Sequence, residues 1–211
     1  RQEPYLDAET SFVKEKEIDV YFLGPKGTYS ELACKKNFGS SVNSFACKTI
    51  PEIFETISDE NSYGIVPLEN STEGAVNATL DALQNTELKI CGELEMPIRH
   101  SLLAPQSALE NIKTVFGHQQ SLAQCKNKLS NFLPKAKVVP VESSGLALKK
   151  ASSKRSNACI AHESFANAND LKVVKKNIED QKNNTTRFII LGKSSPLKLS
   201  LIHISEPTRR P

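Results

Sequence analysis

Four stretches of this sequence gather glycines, hydroxyls, amides and a few charges where a strand would hand over to a helix. In Gly24-Pro25-Lys26-Gly27-Thr28-Tyr29-Ser30 the glycines free the backbone, and Thr28 and Ser30 add hydroxyls. A helix N-terminus following such a loop offers free N–H groups to a carboxylate or phosphate. The G-K-[ST] spacing of a P-loop is absent, and so is G-x-G-x-x-G. Val66-Pro67-Leu68-Glu69-Asn70-Ser71 places a carboxylate, an amide and a hydroxyl together where a strand is expected to end at Pro67. Ligands of open α/β sheets bind at such strand ends. In Phe116-Gly117-His118-Gln119-Gln120-Ser121-Leu122-Ala123-Gln124-Cys125 the spacing of Gln120 and Gln124 puts both on one helical face, beside the imidazole of His118. Asn183-Asn184-Thr185-Thr186-Arg187-Phe188 runs from a polar loop into an apolar strand. It carries a guanidinium suited to a bidentate carboxylate pair and, in Thr186, a neutral donor. Each stretch alone also reads as an ordinary turn or helix cap. Together they describe a polar cleft for a small anion.

Other chemistries find no support. No Gly-x-Ser-x-Gly elbow is present and no cysteine is tied to a base, which argues against hydrolase and covalent-nucleophile readings. His100, His118 and His162 lack metal-helix spacing. The five cysteines are spread out with no C-x-x-C pair, so they read as small buried residues rather than zinc or redox ligands.

The elements that would position the four stretches alternate along the chain. Strands are expected at Val20–Leu23, Ser44–Lys48, Tyr63–Pro67, Leu88–Leu103, Thr114–Phe116, Val138–Val141, Ala158–Ala161, Leu171–Val174 and Arg187–Leu191. Helices follow Thr28-x-x-Glu31, Thr49-x-x-Glu52 and Asn70-x-x-Glu73, all with capping-box spacing. Another, bearing Leu122, Cys125, Leu129 and Phe132, follows the third stretch, and Ser143 caps the next. Alternation of this kind predicts an α/β fold with largely parallel sheets. The strands are too many for one doubly wound sheet, so two α/β lobes flanking a cleft are expected. Crossovers are placed near Met96–His100 and Lys175–Asn177, the second lobe being an insertion and the last strand returning to the first lobe.

Composition narrows the partners. Of 211 residues, 27 are Lys or Arg and 24 Asp or Glu, a net charge of +3. That is too mild to argue for a nucleic-acid or membrane-surface partner. No apolar run is long enough to span a bilayer, and no signal-peptide pattern appears. The expected compartment is the cytoplasm.

The ordered set of motifs resembles the prephenate dehydratase family. Gly24–Ser30 is similar to its G-P-x-G-[ST]-[YF]-[ST] opening, and Val66–Ser71 with Gly74, Leu80 and Asp81 to its V-P-[IL]-E-N-[ST] block. His118–Cys125, the Ser143-Ser144 pair and Ile178-Glu179-Asp180…Asn184-x-Thr186-Arg187-Phe188 complete the set, from about Val20 to Lys193. The resemblance implies a two-lobed fold like the type II periplasmic binding proteins, with the active site between the lobes. It implies conversion of prephenate to phenylpyruvate in phenylalanine biosynthesis, without metal or organic cofactor. By resemblance Thr186, Asn70, Gln124 and Glu69 are catalytic. Thr28, Ser71, Ser143, Ser144, Arg187 and His118 bind substrate, with strand alternation able to turn Arg187 away. Two departures stand out: Gly117 replaces a usual Ser, removing a hydroxyl, and Ser143-Ser144-Gly145-Leu146-Ala147 replaces S-T-A-x-A.

The expected organisation is a linker or upstream-domain remnant at 1–19 and a catalytic domain at 20–198. Lobe 1 takes about 20–98 plus 176–198, and lobe 2 about 99–175. Residues 199–211 read as a translated sequencing adapter. The remnant would come from a chorismate mutase domain. The family's C-terminal ACT domain, and phenylalanine regulation with it, is expected to be missing; a homodimer is the candidate assembly. The alternatives are arogenate dehydratase, a non-catalytic small-anion binding protein on the same scaffold, and an inactive fragment.

Overall fold

A computed structural model describes residues 17–194. The readings made for residues 1–16 and 195–211 lie outside the described residues. β1 (Asp19–Leu23) leads into α1 (Tyr29–Phe38), β2 (Asn43–Cys47), α2 (Ile50–Thr56) and β3 (Ser62–Asn70). Two-residue β4 (Gly74–Ala75), α3 (Asn77–Gln84) and β5 (Lys89–Pro97) follow. The chain then crosses to β6 (Ser101–Ala104), β7 (Thr114–His118), α4 (Gln119–Gln124), α5 (Lys126–Phe132) and β8 (Lys137–Val141). α6 (Ser144–Ser152), β9 (Asn157–Ala161) and β10 (Lys172–Lys175) complete this part, and β11 (Thr185–Gly192) returns.

Two open sheets result, one per lobe. The first is ordered β2-β1-β3-β11-β5 with β4 on β3, and the second β10-β6-β9-β7-β8. The expected two-lobed α/β fold is present, but the sheets are mixed rather than largely parallel. Only the strands joined through helices run parallel: β1 with β2 and β3, and β7 with β8 and β9. The pairings of β11 with β3 and β5, and of β6 with β9 and β10, are antiparallel. Among the described residues eleven strands form instead of nine, because Leu88–Leu103 divides into β5 and β6 and β4 is added.

Val20, Phe22, Ile65 and Phe188 pack against Ala33, Cys34 and Phe38 of α1 on one face of the first sheet. Ile53, Ile57, Val66, Ile189 and Leu191 pack on the other. Each fully buried Val, Leu, Ile or Phe among them contributes about 1.5–3 kcal/mol. All five cysteines are buried and unpaired. No helix among the described residues is long and apolar enough to cross a membrane.

Two local departures shape the site. β3 does not stop at Pro67 but continues to Asn70, and Asn70 caps no helix: α3 starts after Val76 with no side-chain cap. The proline is tolerated because β3 pairs with β11 across a bulge, Glu69 facing Arg187 and Pro67 facing Phe188 with Leu68 extra. The helix expected through Cys125 is broken there (φ −115°, ψ 7°) into α4 and α5. Asp180, from the returning segment, accepts from Asn127 N and Lys128 N at 3.0 Å each, capping α5, while its own N–H donates to Gln124 O at 2.7 Å.

Candidate active site

The first turns of α1 and α6, one in each lobe, face a common cavity of about 320 Å³. Thr28 Oγ1 accepts from Glu31 N at 3.4 Å and Ser143 Oγ from Leu146 N at 3.1 Å, so both expected caps form. Glu31 reaches back to Gly27 N at 2.5 Å, fixing the loop before α1. Ile98, His100 and Asn184, on the two crossovers, add the floor, with Asn70, Thr186 and Phe188 on the strand ends and Gln120, Ser121 and Gln124 on α4. The crossovers are bonded to one another, Ile98 N to Asn184 O at 2.8 Å and Ile178 N to His100 O at 2.9 Å. His118, Gln120, Gln124 and Asn184 also line a neighbouring cavity of about 760 Å³. The inner volume suits a one-ring acid.

A chain of hydrogen bonds crosses the floor from lobe to lobe. Asn70 Nδ2 donates to Thr186 Oγ1 and to Asn184 Oδ1, both at 2.8 Å. Asn184 Nδ2 donates to Gln124 Oε1 at 3.1 Å, and His100 Nε2 lies 2.7 Å from the same oxygen. His100 Nδ1 is 3.0 Å from the Tyr29 hydroxyl, which also reaches Arg99 O. Glu179, 2% exposed, accepts from His100 N at 3.0 Å and faces Arg99 Nη1 at 3.6 Å. Burial lowers the pKa of His100, so the imidazole is neutral at pH 7.

Among the described residues no Lys or Arg lines the inner cavity, and Glu142 is its one carboxylate. Attraction for an anion therefore comes from the positive ends of α1 and α6 and from neutral donors. No group of three His, Cys, Asp or Glu among the described residues could hold a metal.

This cavity lies in a chain whose residues 20–196 match the family model described as prephenate dehydratase. The chain belongs to the prephenate dehydratase family. The bifunctional chorismate mutase/prephenate dehydratase of Pseudomonas aeruginosa is 41% identical over 180 residues, covering 84% of this chain and 49% of that protein. The prephenate dehydratase of Methanocaldococcus jannaschii is 38% identical over 183 residues, covering 85% of this chain and 66% of the other. The crystal structure of prephenate dehydratase from Arthrobacter aurescens in complex with L-Phe aligns with a TM-score of 0.72 at 32% identity, covering 84% of this chain and 61% of that one. The chain spans about half the length of the bifunctional relatives it matches.

Of the residues singled out by family resemblance, Thr186, Asn70, Gln124, Thr28, Ser143, Ser144 and His118 all line the inner cavity. Glu69, Ser71 and Arg187 do not. On strand β3 neighbours point to opposite faces, so Asn70 inside puts Glu69 outside; on β11 Thr186 does the same to Arg187. Those two outward residues meet each other, Arg187 Nη2 to Glu69 Oε2 at 3.3 Å, with Glu93 at 3.8 Å. The bulge at Leu68 is what lets Pro67 and Asn70 face the cavity together. Ser71 Oγ donates to Asn183 O at 3.0 Å and accepts from Thr185 N at 2.9 Å, clipping the two strand ends. At Gly117 a Cβ would meet Leu122 at 3.0 Å and Ile160 at 3.5 Å. A serine there would point into the second lobe's core, so this departure takes no hydroxyl from the cavity. Tyr29, His100 and Asn184 are the additions. Tyr29 and Asn184 sit inside motif stretches, but His100 has no local pattern to mark it.

Proposed function

We propose that this chain catalyses the decarboxylating dehydration of prephenate to phenylpyruvate, in the cytoplasm, as a step of phenylalanine synthesis. The observation that carries this reading is the state of the Thr186 hydroxyl. It is 8% exposed, it accepts from Asn70, and no described residue takes its proton. That O–H is left to donate into the cavity.

The reaction breaks two bonds of the prephenate ring. The carbon–carbon bond to the ring carboxylate releases carbon dioxide, its electron pair enters the ring, and the carbon–oxygen bond opposite breaks with loss of hydroxide. Solvent supplies the proton that makes this water. Aromatisation drives the process, so catalysis reduces to stabilising charge on the departing oxygen. A preorganised neutral donor in a water-poor site does this. Thr186 fits as that donor, by hydrogen bonding rather than by full proton transfer, and Asn70 as the group that aims it. The first turns of α1 and α6, with Thr28, Ser143, Ser144 and His118, are suited to the carboxylates and the keto group. The proposed catalytic unit runs over residues 20–198, with lobe 1 about 20–98 plus 176–198 and lobe 2 about 99–175.

The test is ultraviolet detection of phenylpyruvate from prephenate, repeated with added L-phenylalanine. Product formation is expected; binding of prephenate without product would favour a non-catalytic anion-binding protein. A second reading, arogenate dehydratase, draws support from Glu142, since arogenate carries an ammonium in place of the keto group. Glu142→Gln is expected to raise kcat/KM for prephenate, a dianion, by about 2- to 5-fold, the range for an exposed charge. A loss of arogenate turnover of similar size, in a protein that prefers arogenate, would decide for the second reading.

A further inference from the structure

We infer that His100 is a positioning residue of this site: its Nε2–H locks the Gln124 amide so that both Gln124 Nε2 protons face the cavity. The polarity of the hydrogen-bond chain can be worked out from one end. Asn70 Oδ1 accepts from the backbone N–H of Thr72 at 3.0 Å and of Glu73 at 3.2 Å. Backbone N–H groups only donate, so the Asn70 oxygen is fixed on that side and its Nδ2 must serve Thr186 and Asn184. Asn184 therefore accepts through Oδ1 and has only its Nδ2 to offer Gln124. Gln124 must then present Oε1, and a second neighbour of Oε1 must be a donor. That neighbour is His100 Nε2 at 2.7 Å. The neutral imidazole then has an unprotonated Nδ1 3.0 Å from the Tyr29 oxygen, and the single Tyr29 hydroxyl proton is shared between that nitrogen and Arg99 O. Burial raises the tyrosine's pKa, so the hydroxyl keeps its proton to give.

Both lone pairs of Gln124 Oε1 are thus occupied, and neither Nε2 proton has a partner among the described residues. In a cavity with no lysine or arginine on its wall among the described residues, a paired N–H donor held by two side chains is a strong neutral anchor for a carboxylate or keto oxygen. A turned amide would show an oxygen to an anion and a donor to two donors. His100 is 2% exposed and joins Tyr29 of one lobe to Gln124 of the other. The anchor therefore exists only while the lobes are together.

The kinetic readout rests on the proposed prephenate activity; a spectroscopic one does not. On the full chain, His100→Leu and His100→Asn are expected to lower kcat/KM for prephenate at least about 10-fold, the effect of removing one of the two donors that hold the Gln124 oxygen. His100→Gln, whose amide nitrogen reaches the position of Nε2, is expected to stay within about 3-fold of the parent. In a Gln124→Met background, His100→Leu is expected to cost less than about 2-fold more, because no amide is left to orient. Thermal melting monitors folding of each variant. Equal losses in both backgrounds, or Gln behaving like Leu and Asn, would overturn the assignment. Independently, long-range ¹H–¹⁵N spectra at pH 7, assigned by difference against His100→Gln, should show His100 protonated at Nε2 and bare at Nδ1. The opposite tautomer, or an imidazolium, sinks the inference whether or not prephenate turns over. Absence of turnover with the expected tautomer sinks only the proposed activity.

Discussion

Thr186→Val is expected to lower kcat for phenylpyruvate formation by about 100- to 1,000-fold, the effect of deleting one preorganised donor from a transition-state site. The exchange is close to isosteric, and it sits at the start of β11, where a β-branched residue belongs. The register with Asn70 and Met96 is therefore retained. What disappears is the proton directed at the leaving oxygen. The Asn70 amide also loses one acceptor, so a melting temperature a few degrees lower is expected, with the fold intact. Thr186→Ser restores a hydroxyl on a freer side chain and is expected to recover most of the loss. Single-turnover kinetics would separate chemistry from binding, and the deficit should lie in the chemical step. A valine variant keeping near-full turnover would remove Thr186 from the mechanism.

The second large effect is expected at Gly145. A Cβ on Gly145 would stand 2.1 Å from Lys26 O and 3.6 Å from Pro25 Cγ; a Cβ on Gly27 would stand 2.9 Å from Gly145 Cα. Two glycines, one in each lobe, thus bring backbone against backbone next to Thr28 and Ser144. The obstacle is a carbonyl, not a flexible side chain, so Gly145→Ala is relieved only by moving the loop before α1 away from α6. Glycine at position 145 is what permits this close approach. Displacing one wall of a positioned site by about 1 Å can cost 100-fold in rate. A fall of that order in kcat/KM is expected, with little change in melting temperature, since the substitution enters no core. Gly27→Ala adds strain from a φ of +85° and is expected to lower stability as well. Unchanged kinetics in Gly145→Ala would show that the lobes need not approach this closely.

Much of this arrangement is legible locally. Thr28, Thr49 and Ser143 announce helix starts, and all three cap as expected. Alternation of strand and helix yields two lobes, and strand ends carry the cavity residues. The misreadings share one physical origin: the deciding partner lies far along the chain. Whether Glu69 or Asn70 faces inward depends on the bulge that β3 forms against β11. The break at Cys125 depends on Asp180 capping α5 from the returning segment. His100 gains its place from Tyr29 and Gln124, which approach only when two separate sheets have formed. Propensity and spacing carry information over a few turns, and none of these contacts is that local.

The strand order has a consequence for how the chain is born. β11 is the last strand made among the described residues, yet it lies inside the first sheet, between β3 and β5. While a ribosome adds residues 98–184, those two neighbours show bare edges to one another. The second sheet draws all its strands from residues 101–175, so the middle of the sequence matures before its beginning. The first sheet closes only when the eight residues of β11 slide into the gap, bringing Thr186 with them. Completion of the first sheet and arrival of the proposed hydrogen-bond donor are a single event.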